Sequence, residues 1–136
     1  MKKELNEIMV NEIYAVENLL KALEKQHSCL VKSDAITLEN CTAEVDKCNK
    51  DIAAWEMKRR QLTQGKAMSD IINNIDDNEL YENYRKIKKL LEEVRLQKDT
   101  NELLIKQGLS FTNRVISILN PSRNAKTYNS YGKVSR

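Results

Sequence analysis

The feature that most constrains this chain is the spacing of its apolar residues, which recur in alternating steps of three and four along most of its length. In the first segment the seam consists of Leu5, Met9, Ile13, Val16, Leu20, Leu23, His27 and Leu30. Such a heptad pattern places a stripe on one side of an α-helix and predicts packing against other helices. Three glycines and one proline are too few turn formers for a β-sandwich or a repeated βαβ unit. The chain is therefore predicted to be all-α.

Interruptions of the heptad pattern mark the helix ends. Predicted helices occupy about residues 3–32, 35–64 and 79–119, and a short helix or turn is expected at about 68–75. Ser33 or Asp34 can cap the second long helix, and Gly65 can close it in the left-handed conformation. Trp55 occupies a seam position there and is expected to be a buried anchor. We predict an elongated antiparallel bundle, or coiled coil, of three long helices.

The last 16 residues differ in composition from the rest. Residues 121–136 contain four cationic side chains and no acid, so they carry +4, whereas the remainder of the +3 chain carries −1. They show no helical periodicity. We predict a helical bundle over residues 1–120 and a flexible basic tail over residues 121–136.

Residues suited to catalysis are scarce. His27 is the one histidine, and the chain has neither a glycine-rich phosphate loop nor a His-Glu-x-x-His motif. Cys29 and His27 offer two metal ligands at most, and Cys41 and Cys48 are expected to be small buried hydrophobes, too far apart for a disulfide with each other. We expect a protein that is not an enzyme, needs no cofactor and holds no metal.

The apolar stretches are short. None approaches the roughly 18 uncharged apolar residues that span a bilayer, and the N-terminal residues lack the apolar core of a signal peptide. An odd set of three cysteines without a Cys-x-x-Cys pair fits a reducing compartment. We expect a cytoplasmic protein without direct membrane insertion.

Charge along the third long helix does not indicate a nucleic-acid partner. Its basic run, residues 85–89, spreads around the helix and is followed by Glu92 and Glu93, which is typical of a solvated, salt-bridged face. The four charges of the tail, without an ordered basic face, would bind nucleic acid weakly and with strong salt dependence. We therefore expect no nucleic-acid partner.

Excess apolar surface distinguishes the end of the third long helix. Apolar side chains spread around much of it between residues 103 and 119, which predicts a second partner surface or a partner chain. The candidate contacts are Leu104, Ile105, Leu109, Phe111, Val115, Ile116 and Leu119. Lys98 and Asn101, on the same seam, either set the register of the bundle or face a partner. A coiled-coil adaptor or scaffold that pairs with itself, for example as a homodimer, would bury the same residues.

The order of these features, together with two short elements, resembles the FlgN family of flagellar export chaperones. After a heptad helix beginning at Leu5 and a second one ending in Lys58-Arg59-Arg60-x-Leu62, the elements are Asn101-x-x-Leu104-Ile105 and Thr127-Tyr128-Asn129-x-x-Gly132. Ile105 stands where the family pattern has leucine. The resemblance covers nearly the whole chain.

This resemblance implies a cytoplasmic chaperone that binds flagellar hook-filament junction proteins, prevents their premature polymerisation and delivers them to the type III export gate. Tyr128 and Tyr131 lie in the tail without a core to join, and aromatic residues in such segments commonly anchor a partner. The tail residues Tyr128, Tyr131 and Gly132 are therefore candidates for docking to the client or to the gate. An inert basic tail is the alternative.

Overall fold

The computed structural model describes residues 2–120, which are helical and contain no strand. The helices are α1 (Lys2–Lys32), α2 (Ala35–Thr63), α3 (Met68–Asn74) and α4 (Asn78–Leu119). The all-α prediction is confirmed, and the segment expected to be a short helix or turn is the helix α3. The chain divides into two compact units, Met1–Asn101 and Glu102–Arg136. The division into a bundle over residues 1–120 and a tail over residues 121–136 stays a prediction.

Contacts between α1 and α2 show that these helices are antiparallel. The Sγ atoms of Cys29 and Cys41 lie 3.6 Å apart near the connecting turn. Far from that turn, Arg59 Nε lies 3.1 Å from Glu12 Oε1. Residues near the end of α1 therefore contact residues near the start of α2, and residues in the first half of α1 contact residues near the end of α2.

Helix α4 runs parallel to α1 in the first unit. Asn83 Nδ2 donates a hydrogen bond to Asn6 Oδ1 at 3.1 Å. Further along both helices, Asn101 Nδ2 donates to the carbonyl oxygen of Leu23 at 2.9 Å. From the first contact to the second, the residue numbers increase along both helices, so α1 and α4 point in the same direction.

Two apolar clusters form the core of the first unit, and α1 contributes to both. One cluster consists of Leu5, Met9, Ile13, Ile71, Leu80 and Ile87. The other consists of Val16, Leu19, Ala22, Leu23, Cys48 and Val94. Helix α1 has 12 buried residues and α2 has three, so α1 supplies most of the core. Its buried face is broad because it packs against both other long helices.

The turn between α1 and α2 satisfies the backbone groups of both helix ends. Ser33 has a left-handed φ of 58°. Its N–H donates to the Leu30 carbonyl at 3.3 Å, and the Asp34 N–H donates to the Cys29 carbonyl at 3.0 Å, which is a Schellman closure. Asp34 also caps α2, because its carboxylate accepts a hydrogen bond from the Thr37 N–H at 3.1 Å. That hydrogen bond lowers the pKa of Asp34.

The end of α2 differs slightly from the prediction. Gly65 has the expected left-handed conformation, with φ of 78°, but the residue that closes the helix is Gln64, with φ of 56°. The Gly65 N–H donates to the Arg60 carbonyl at 3.0 Å. A glycine signal in a sequence thus locates the turn to within about one residue.

Two positions that the heptad spacing places on a seam, Trp55 in α2 and Leu91 in α4, are less buried than that spacing predicts. Trp55 is half-buried rather than fully buried, and the Lys58 ammonium lies 4.3 Å from its ring centroid. Leu91 is 46% exposed, whereas Leu90 packs against both core clusters. The spacing of α4 fits either leucine, and its contact with the broad face of α1 selects Leu90.

A buried ion pair joins α1 and α2. Glu12 is 5% exposed, and the Arg59 guanidinium donates to its carboxylate at 3.1 Å. Burial nevertheless raises the pKa of Glu12, against the opposing effect of Arg59. The loss of hydration therefore outweighs the attraction between the two charges.

Glu12→Gln should change the free energy of unfolding at pH 7 by less than about 1 kcal/mol, because relief of the buried carboxylate charge and loss of the ion pair with Arg59 oppose each other. Between the ordinary glutamate pKa and the raised one, the folded chain holds a proton that the unfolded chain has released. The stability that Glu12 contributes is thus greatest at low pH and declines as the pH rises through the raised pKa. Urea unfolding of both proteins at pH 4 and pH 7, with the exposed Glu82→Gln as control, measures this. A loss above about 1 kcal/mol at pH 7 would show that the ion pair is net stabilising.

Candidate functional site

The candidate contact residues lie in the second unit, on the part of α4 that begins at Glu102. Six of the seven are exposed, from Val115 at 37% to Leu119 at 71%, and Leu104 is half-buried. No residue from 102 to 120 is buried. The described part of this unit therefore presents apolar side chains to solvent, which is unusual for a helix without a partner.

All seven candidates lie on one side of the helix. At about 100° of rotation per residue, they fall within an arc of roughly half the circumference. The other side of the helix carries polar residues, namely Glu102, Lys106, Ser110 and Asn113. An arc of this width is broader than the seam of a two-stranded coiled coil, and it suits contact with more than one neighbouring helix.

Three residues of this segment lie on the arc although they are not among the candidates: Ile118, Gly108 and the polar Thr112. Ile118 is 76% exposed and extends one edge. Gly108 lies near the centre. In the described part of the chain, apart from its two chain neighbours and the backbone of its own helix, nothing comes within 4 Å of the position its Cβ would take. Leu103, which is 56% exposed, lies outside the arc. A helical-wheel plot of this segment would have placed Ile118 on the arc from the sequence alone. Gly108 has no side chain, so the pattern of apolar residues could not identify it. We call the seven candidates together with Ile118 and Gly108 the apolar arc.

Asn101 belongs to the first unit and is bonded within the chain. It is 1% exposed, and its Nδ2 donates to the Leu23 carbonyl at 2.9 Å and to Gln26 Oε1 at 2.8 Å. Gln97 donates to Asn101 Oδ1 at 3.1 Å. Gln26 also donates to Thr42 Oγ1 of α2 at 3.4 Å, so the polar layer joins three helices. Of the two roles predicted for Asn101, the contacts favour setting the register.

Lys98 lies one turn before Asn101 on α4. Its side chain is exposed. In α4 the buried residues Leu80, Ile87, Val94 and Asn101 recur every seven residues. Position 98 is three residues before Asn101 and lies at the edge of this seam, where a long cationic side chain can reach solvent.

The remaining chemistry-bearing residues form no metal site in the described range. His27 is half-buried on α1. Residues 2–120 contain no group of three or more His, Cys, Asp or Glu side chains arranged to hold a metal ion. Cys29, Cys41 and Cys48 are free and buried, as expected for Cys41 and Cys48. The proximity of Cys29 to Cys41 was not predicted, because it arises from the pairing of two helices.

Two of the four cations in the basic run on α4 pair with acidic side chains. Arg85 pairs with Glu82 at 3.2 Å, and Lys86 lies 3.8 Å from Glu17 of α1. The Lys88 ammonium lies 5.2 Å from the centroid of the Tyr84 ring. These contacts are typical of a solvated helix face.

Tyr128, Tyr131 and Gly132 lie outside the described residues, and their docking role stays a prediction. Within residues 2–120, no helix has the length and apolar character needed to cross a membrane.

Comparison with known proteins identifies the family. Neither curated proteins nor solved structures gave a match. The family model described as FlgN protein matches residues 1–136, which is the whole chain. The chain therefore belongs to the FlgN family of flagellar export chaperones.

Proposed function

We propose that this protein is a cytoplasmic chaperone that binds flagellar hook-filament junction proteins, prevents their premature polymerisation and delivers them to the type III export gate. The observation that carries the proposal is the apolar arc of α4 in a chain of the FlgN family. Subunits that polymerise through helices expose apolar stripes before assembly, and an amphipathic helix can cover such a stripe. The arc provides the complementary surface.

The architecture inferred for the first unit is an antiparallel bundle of three long helices. Helices α1 and α4 supply both core clusters, and α2 contributes to the second of them. Asn101 adds a polar layer to this core, in which its side-chain amide is hydrogen-bonded. A buried polar residue of this kind fixes register, because every alternative alignment leaves its amide unpaired. We infer that the bundle folds without the client.

A self-associating coiled-coil adaptor is the second candidate function. It rests on the same observation, because a homodimer would also cover the apolar arc. The two functions differ in what the isolated protein does. An adaptor forms a stable oligomer alone, whereas the proposed chaperone forms its stable complex with the client.

Size-exclusion chromatography with light scattering separates these functions. The purified chain should bind purified hook-filament junction proteins in a defined complex and should slow their polymerisation. The flagellar filament subunit is the control client and should not form the complex. A chain that elutes as a homodimer and leaves the junction proteins unbound would establish the adaptor function instead.

Removal of the tail should weaken docking without unfolding the protein. A chain ending at Asn120 should keep its helicity and thermal unfolding midpoint, while its affinity for client or gate falls about tenfold or more, because tyrosines often anchor such contacts. Tyr128→Ala should reproduce most of this loss, and Ser130→Ala is the control in the same segment. Unchanged affinity for both partners in the truncated chain would make the tail an inert extension.

A further inference from the structure

Cys29 and Cys41 form a pair of thiols that the chaperone function does not use. Their Sγ atoms lie 3.6 Å apart, and both side chains are buried at the end of α1 and the beginning of α2. A disulfide has an S–S distance of about 2.05 Å, so the sulfur atoms would need to approach by about 1.5 Å. A movement of this size is within reach of small side-chain rotations where two helices already pack.

We propose that Cys29 and Cys41 are a disulfide-forming site that reacts with low-molecular-weight disulfides and fastens the α1–α2 turn under oxidising conditions. Cys48 provides an internal contrast. It is equally buried on the next heptad of α2, but its sulfur lies near a carboxylate oxygen, Glu44 Oε2, at 3.8 Å. Of the three free thiols, the pair across the turn has the geometry for a bond.

The reaction is thiol–disulfide exchange in two steps. The thiolate of one cysteine attacks a sulfur of the small disulfide, which forms a mixed disulfide and releases one small thiolate. The second cysteine then loses its proton and attacks the protein sulfur of the mixed disulfide, which closes the Cys29–Cys41 bond and releases the second small thiol. Two protein thiols are oxidised and one small disulfide is reduced to two thiols, which take up the two protons.

Local opening near the turn controls how fast the reagent enters. Cys29 accepts the Schellman hydrogen bond from Asp34, so its carbonyl takes part in the closure of α1. Ser33 holds a left-handed φ of 58° beside it, a conformation that is unfavourable for a residue with a Cβ. Burial, together with the Cys41 thiol, also raises the pKa of Cys29. Oxidation should therefore be slow at neutral pH and faster at higher pH, where more thiolate is present.

The bond should stabilise the folded chain. It closes a loop between positions 12 residues apart, which restricts the unfolded chain. For a chain of this size we expect the thermal unfolding midpoint to rise by about 5–10 °C. Dithiothreitol should reverse the change.

Thiol labelling after treatment with glutathione disulfide tests the proposal. Fully reduced protein, labelled under denaturing conditions, carries three alkyl groups, one on each cysteine. Oxidised wild-type protein should carry one, on Cys48, and peptide mapping without reductant should recover the Cys29–Cys41 linkage. Cys48→Ala is the matched control and should form the bond as wild type does, whereas Cys41→Ala should not.

The mapping on wild-type protein decides the matter even if a cysteine variant folds poorly. Three labelled cysteines after prolonged oxidation at pH 8 would overturn the proposal. So would a linkage that includes Cys48, one that joins two chains, or a bond that leaves the unfolding midpoint unchanged.

Discussion

Val115→Asp and Ile116→Asp are each expected to abolish client binding while the chain remains folded. Both side chains lie on the apolar arc and are exposed, at 37% and 48%. A carboxylate placed against an apolar partner loses its hydration without gaining a counter-charge. We expect a loss of about 3 kcal/mol or more, which is over about 100-fold in Kd. Isothermal titration with a hook-filament junction protein measures it.

Asn113→Asp is the matched control for these variants. Asn113 is exposed on the polar side of the same helix segment, so the same charge is added away from the arc. Its affinity for the client should change little. Far-UV circular dichroism and thermal unfolding should be the same for all three variants, because exposed substitutions usually alter stability by less than about 0.5 kcal/mol. Unfolding or a changed oligomeric state in Val115→Asp would mean that the arc is covered by this chain itself.

The second large effect concerns stability. Asn101→Ala should lower the free energy of unfolding by about 2–4 kcal/mol, because it leaves Gln26 Oε1 and the Leu23 carbonyl without the donor they now share. The alanine also leaves a small cavity in a closely packed layer. Urea unfolding followed by circular dichroism measures the change.

Asn113→Ala provides the control for this loss, since it removes an exposed asparagine from the same helix. It should change stability by less than about 0.5 kcal/mol. The client affinity of the folded Asn101→Ala protein should remain near that of wild type. A variant that keeps its stability and loses client affinity would assign Asn101 to the client contact instead.

Much of the helical organisation could be predicted because a heptad pattern depends on local geometry. The buried residues Leu80, Ile87, Val94 and Asn101 recur at the predicted spacing along α4. The sequence could not show whether Leu90 or Leu91 packs beside these buried residues, because both are leucines next to the same seam. That choice depends on the direction from which α1 approaches, and the spacing within one helix does not contain it.

Buried polar and sulfur contacts between helices were the least predictable features. Glu12 of α1 pairs with Arg59 of α2, 47 positions away in the chain. Cys29 and Cys41 approach each other across a turn. Both contacts depend on how α1 and α2 are oriented about their own axes relative to each other. That orientation is set by the packing of the two helices. The candidate contacts of α4 could be predicted as a set because one exposed helix face is a local property.

Gly108 bears on how the client would leave. A glycine within a helix costs about 1 kcal/mol relative to alanine, and no packing contact of this chain in the described range requires a glycine there. This part of α4 is thus easier to unwind than its other residues would make it. Unwinding this segment would break up the apolar arc, and the glycine makes that unwinding about 1 kcal/mol less costly than an alanine would. Such a weakness favours reversible capture, which a carrier needs if its cargo is to continue into the export channel.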